Sequence, residues 1–132
     1  MWNRIIDPFF YLHSHEFVVS TSFGMRIAGD TRDIIQGFIY FFGMWEPSLT
    51  RWIQERLAPG DIFIDVGANI GYYSLLASKL VGHSGSVVAI EPSPKIFSAL
   101  QHNLALNHIE NVRVVNMAVS DRREALRLFR GA

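Results

Sequence analysis

An α/β fold built on a parallel sheet is the class that this sequence predicts, on three observations. From Asp61 onward, short apolar runs of strand length alternate with amphipathic helical patterns. The runs are nearly continuous rather than alternating, as expected of strands covered on both faces in a parallel sheet with right-handed crossovers. The chain has 132 residues, one domain or a piece of one, and can build a core without metals or disulfides.

The elements follow in order. Glu16 to Ala28 mixes β-branched and aromatic residues around a break at Ser22, Phe23 and Gly24, which reads as a hairpin. Ile34 to Trp45 is the most apolar early stretch and reads as a core helix or a lid. It is too short for the roughly 20 residues of a bilayer-spanning helix, although its aromatic residues would suit a headgroup boundary. Pro47 suits a first helical position, and Leu49, Trp52, Ile53 and Leu57 follow at helical spacing until Pro59 and Gly60 end the run. Ile62 to Val66, Val87 to Ile90 and Val112 to Val119 are then the three strands. Between them, Gly71 to Leu80 is a helix stopped at Gly82, and a second helix starts at Ser93-Pro94 and ends near Asn107, with Ile96, Phe97, Leu100 and Leu104 as its buried stripe. A further strand is expected over Ala125 to Phe129. Residues 1–45 form a hairpin and helix region, and residues 46–132 the α/β part.

Composition removes several function classes. Cysteine is absent, which excludes disulfide scaffolds, thiolate zinc sites and cysteine nucleophiles. Twelve basic residues balance twelve acidic ones, so no global field draws in nucleic acid or an anionic membrane. The histidines show no carboxylate pairing at metal-ligand spacing, so no metal is expected. Arg122, Arg123, Arg127 and Arg130 read as a solvated basic face, because the aromatic platform needed to bind a nucleic-acid strand is limited to Phe129. No secretory signal fits the start, so a cytoplasmic protein is the default.

In an open α/β sheet, ligands sit beyond the carboxyl ends of the strands. There Asp65-Val66-Gly67-Ala68-Asn69-Ile70-Gly71 places a carboxylate, a glycine-bracketed turn and a helix start in succession. Gly67 lets backbone approach a ligand, and Gly71 permits tight helix–strand packing. A dinucleotide fingerprint needs G-x-G-x-x-G, whereas the position two after Gly67 is Asn69, and no lysine follows to make a P-loop. Glu91 ends the next strand some 20 residues later, where a carboxylate can accept both hydroxyls of a ribose. Each piece alone is commonplace. Together they call for an adenosine without phosphates and with a cationic amino-acid tail, which describes S-adenosylmethionine. An NAD-linked oxidoreductase fits poorly because the phosphate turn is wrong.

At these residues the chain resembles class I S-adenosylmethionine-dependent methyltransferases, and more narrowly the FkbM family. The likeness rests on Gly60-Asp61, Asp65 to Gly71 with Tyr72-Tyr73-Ser74, Gly85, Glu91-Pro92-Ser93-Pro94, Asn103, Asn107 and Ala118-Val119-Ser120-Asp121. It implies a Rossmann-like sheet in which Asp65, Gly67, Ala68, Asn69 and Gly71 wrap the methionine portion. Glu91, followed by Pro92, takes the ribose, and the Ala118 backbone takes the adenine edge. Many class I enzymes carry an acidic side chain near the Ala118 position, and here a methyl group stands there. The resemblance also implies a seven-stranded sheet, of which three strands are present and the C-terminal half absent, so a truncated chain is expected.

The expected function is therefore O-methylation of a small molecule or sugar, without a nucleic-acid partner or transmembrane segment. The alternative is a non-catalytic remnant or a cofactor-binding subunit that depends on a partner. Ile62 to Val66 would then lie at an open edge, which a partner or a second copy could cover. The residues name no catalytic base. Glu46, before the helix that leads to the first strand, is the best candidate, although the helix dipole also accounts for a carboxylate at that place.

Overall fold

A computed structural model describes residues 14–125 and 127 of the chain. Its elements are β1 (Glu16–Ser20), β2 (Arg26–Asp30), α1 (Ile34–Phe42), α2 (Pro47–Arg56), β3 (Ile62–Val66), α3 (Tyr72–Val81), β4 (Ser86–Ile90), α4 (Pro94–Leu106) and β5 (Val112–Val115). β1 and β2 form an antiparallel hairpin, and β3, β4 and β5 form a parallel sheet in that order.

Local chemistry explains the boundaries. Asp33 caps α1 by accepting from the Gln36 amide at 3.0 Å, and Gly43 ends the helix in a left-handed conformation. Pro47 opens α2 as expected. Ser93 occupies the N-cap position of α4, but its side chain makes no capping bond; its own amide donates to Glu91 instead. The third strand stops at Val115 rather than Val119. There the Asn116 amide donates to the carbonyls of Glu91 and Pro92, at 2.8 and 3.1 Å, and the chain leaves the ladder. The strand expected over 125–129 lies, apart from Ala125 and Arg127, outside the described residues.

Among the described residues the sheet is covered on one face only, where cover on both was expected. Two right-handed crossovers that step in the same direction put their helices on the same side. Phe63, Asp65, Val87 and Ala89 therefore turn toward α3 and the core. Ile62, Ile64 and Val66 point the other way and are exposed, at 73, 61 and 61%. α1 is likewise half in the core: Ile39 is fully buried while Ile34 and Phe42 are exposed.

Hairpin and α/β part share one apolar cluster, in which Phe17, Phe23, Ile27 and Ile39 pack with Leu75, Leu76 and Leu100. The junction is polar and specific. Asn103 of α4, fully buried, accepts from the Ala28 amide (2.8 Å) and donates to the carbonyls of Ala28 (3.1 Å) and Ile70 (2.9 Å). One helical turn on, Asn107 does the same to Arg26, accepting at 2.8 Å and donating at 2.7 Å. Two side-chain amides, four residues apart on the helix, thus satisfy the free edge of β2 at positions two residues apart, and so blunt an edge open to aggregation.

Replacing Asn103 by Ala leaves three backbone groups without partners, so the variant should lose about 3 kcal/mol of stability. Urea denaturation checks this, and a loss below about 0.5 kcal/mol would show that the amide is not what joins the two parts.

Candidate functional site

The turn after β3 is anchored from β4. Gly67 and Ala68 both donate their amides to the Ile90 carbonyl, at 2.9 and 3.0 Å, and the Asn69 amide donates to Glu91 Oε2 at 3.0 Å. The other Glu91 oxygen accepts from the Ser93 amide at 2.9 Å. These N–H groups are the ones a pyrophosphate would need, and they are spent on protein acceptors, one of them a carboxylate. A dinucleotide phosphate is thereby excluded by geometry as well as by spacing.

Gly67 has a φ of +76°, and a Cβ there would meet nothing within 4 Å, so the turn is open on that side. Gly71 is required for a different contact from the expected one. At a φ of +97° its Cβ would stand 2.6 Å from Leu100 Cδ1, so the close approach is to α4 rather than to a strand.

Beside the turn lies a cavity of about 450 Å³, within the range of small-molecule sites. Asp65, Gly67, Ala68 and Asn69 form one wall. α1 and α2 supply Ile35, Ile39, Trp52 and Ile53, the segment between them supplies Trp45 and Glu46, and Tyr72 and Tyr73 come from α3. Sequence reasoning missed Trp45, Trp52 and Tyr73 as lining residues, because each also fits an apolar helix stripe. The wall is fixed by Thr50, whose buried hydroxyl donates to the Trp45 carbonyl (2.7 Å) and pairs with the Tyr72 hydroxyl (3.1 Å).

Asp65 is buried and accepts from the Ser74 hydroxyl at 2.6 Å. Burial pushes its carboxyl above the ordinary range; the Ser74 bonds oppose that shift, and the neighbouring Glu91 charge adds to it. The Tyr73 hydroxyl donates to Glu46 Oε2 at 2.7 Å and is pushed well above the usual phenol value, by burial first and by Glu46 second. Glu91 is buried behind the turn and is not part of the cavity wall. Its two oxygens have each spent one acceptor site on backbone, which leaves lone pairs for a ribose edge. Pro92 is tied by its carbonyl to Asn116. Ala118 lies beyond the end of β5, exposed, and does not line the cavity, so the structure does not bring it together with the other candidates.

These residues fit S-adenosylmethionine. Among the described residues the wall contains two carboxylates and no Lys, Arg or His, which suits a cationic tail. The Asn69 Oδ1 atom is buried with no hydrogen-bond partner, an acceptor in want of a donor.

The TRM5/TYW2 methyltransferase domain model matches residues 39–128. The chain belongs to this family. The cofactor that the family and the fold call for is S-adenosylmethionine. Among relatives, the chain is 48% identical over 67 residues to the 31-O-demethyl-FK506 methyltransferase FkbM of Streptomyces tacrolimicus, a match over 50% of this chain and 25% of that protein. A protein-L-isoaspartate O-methyltransferase structure aligns with a TM-score of 0.53 and 32% identity, over 57% of this chain and 24% of the other. M. jannaschii TYW2, solved in complex with AdoMet, has the same fold, with a TM-score of 0.59 and 23% identity over 78% of this chain and 43% of that one. The chain thus spans about a quarter of the length of the FkbM relative.

Because the folded state raises the affinity of Asp65 for its proton, folding takes up that proton between 3.8 and the higher folded value. The unfolded chain binds fewer protons in this window, so the contribution of Asp65 to stability is greatest below 3.8 and is lost as pH rises through the folded value. Asp65→Asn keeps an acceptor for Ser74 and should remove this decline. Wild-type and variant urea midpoints, compared over a pH series, check the sign; parallel curves would contradict the shift.

Proposed function

We propose that this chain is the cofactor-binding part of an S-adenosylmethionine-dependent methyltransferase that acts on a hydroxyl group of a small molecule or sugar. The observation that carries the reading is the cavity wall, where the glycine turn after β3, two carboxylates and aromatic rings meet with no basic side chain among the described residues. The 48% identity to FkbM supports an O-methyl acceptor. A polynucleotide acceptor, the competing choice within the TRM5/TYW2 family, would need basic residues to neutralise phosphates near the chamber. Among the described residues the wall offers none.

When bound, S-adenosylmethionine supplies a methyl group on a positively charged sulfur, open to in-line displacement by an acceptor oxygen. The residues of the chain hold and orient. Asp65, Gly67, Ala68 and Asn69 form the surface for the methionine portion, and Glu91 receives ribose hydroxyls. Trp45, Trp52 and Tyr73 supply the aromatic part of the chamber wall. The contribution of this chain would be to bind and orient the methyl donor beside the acceptor hydroxyl.

A second reading is favoured by the bare face and outer edge of β3, where Ile62, Ile64 and Val66 are exposed. On that reading the chain binds cofactor but methylates only when another polypeptide or a second copy covers this surface. Size-exclusion chromatography together with methyl transfer by the isolated chain separates the two.

Calorimetry with S-adenosylhomocysteine tests the site. Glu91→Ala should weaken binding about tenfold or more, through the ribose bonds and the loosened Asn69 amide together. Unchanged affinity sinks the ribose assignment, and displacement of the nucleoside by RNA would favour a nucleic-acid acceptor.

A further inference from the structure

The chamber has two unlike halves. β3, the turn after it and α3 contribute the polar side chains Asp65, Asn69, Tyr72 and Tyr73. α1 and α2 contribute Ile35, Ile39, Leu49, Trp52 and Ile53, a half that is apolar throughout. Spacing on α2 explains its share: Trp52 and Ile53 follow Leu49 by three and four residues, so the three side chains lie on one helix face.

Burial changes along that face. Ile53 is 4% exposed, whereas Leu49 and Trp52 are 41 and 51% exposed and so stand at the mouth of the chamber. Trp52 is held there from outside. Arg56, one helical turn on, sets its guanidinium carbon 4.5 Å from the centre of the indole ring. The mouth therefore has a clamped aromatic plate on α2 and an aliphatic residue, Leu49, beside it, with Ile35 of α1 on the same apolar half.

We propose that Leu49 and Trp52 seat the methyl acceptor, and that this acceptor is a hydroxyl carried on an apolar ring system rather than a free sugar. The inference rests on the cofactor reading above and narrows it. A sugar laid against Ile35, Leu49 and Trp52 gives up water from several hydroxyls and finds no hydrogen-bonding acceptor among these side chains. An apolar body gains free energy from the same contact, and its one hydroxyl can turn toward the polar half, where the methyl donor lies. Arg56 acts through Trp52 and is a positioning residue.

Equilibrium dialysis on the 132-residue chain, saturated with S-adenosylhomocysteine, tests this with 2-naphthol as the apolar hydroxyl and methyl β-glucopyranoside as the sugar. 2-Naphthol should bind about tenfold or more tightly than the glucoside. Trp52→Ala should weaken 2-naphthol about tenfold while changing the affinity for S-adenosylhomocysteine far less. Arg56→Gln should weaken 2-naphthol by a smaller factor, and Arg56→Lys, which keeps a cation beside the ring, should recover most of that loss. Ile62→Ser removes an exposed apolar side chain outside the chamber and should leave 2-naphthol binding unchanged. Retained binding of S-adenosylhomocysteine reports a folded site in each variant. Equal losses of both ligands in Trp52→Ala would give the indole a cofactor-binding or structural role and overturn the proposal. It is overturned as well if 2-naphthol does not bind, binds no better than the glucoside, is unaffected by Trp52→Ala, or loses as much in Ile62→Ser; each of these leaves the cofactor reading standing. If the wild-type chain does not bind S-adenosylhomocysteine, the cofactor reading falls and takes this inference with it.

Discussion

The backbone of residues 67–70 is held from three directions at once, and the position of everything else at the site follows from that. Ile90 takes two amides with one carbonyl, Glu91 takes a third with its carboxylate, and Asn103 reaches from α4 to the Ile70 carbonyl. Four consecutive residues of a glycine-containing turn would otherwise be among the most mobile in such a chain. Here the turn is pinned to the end of the neighbouring strand and to the helix that follows it. The same Asn103 amide holds β2, so the hairpin and the turn share one anchoring side chain.

Much of this arrangement was legible in the sequence. Strand and helix periodicity from Asp61 onward gave the parallel order, and the D-x-G-A-N-x-G spacing with Glu91 about 20 residues on gave the ligand class. What escaped has physical reasons. Asn116 reads as one more residue of an apolar run, and only its bonds to Glu91 and Pro92 show that the strand ends there. Continuous apolar strands look the same whether their second face is covered or bare, so the exposure of Ile62, Ile64 and Val66 had no signature in one dimension. Trp45, Trp52 and Tyr73 were hidden because an aromatic residue in a helix satisfies a core stripe as readily as a ligand wall. Gly71 was rightly singled out as a close-packing position, but its neighbour is Leu100, a long-range contact that spacing cannot name.

Electrostatics divide the carboxylates by task. Glu91 is wrapped by two amides, Asp65 is buried against a serine hydroxyl, and Glu46 sits at the rim with a phenol. The first pattern suits a fixed acceptor of hydroxyls. The second suits a group whose charge costs free energy until a cation arrives. On the proposed function, a methyl donor that carries a sulfonium and an ammonium would supply that cation.

The one-sided sheet has a consequence for precision. Among the described residues β3 has a neighbour only at β4, and three of its five side chains face water. A strand so placed frays more readily than a central one, yet it carries Asp65 at the chamber floor. The fidelity of that carboxylate is therefore borrowed from β4, whose last carbonyl clamps the loop just downstream. Loosening at Ile90 would misplace the charge sooner than an equal disturbance within β3 itself.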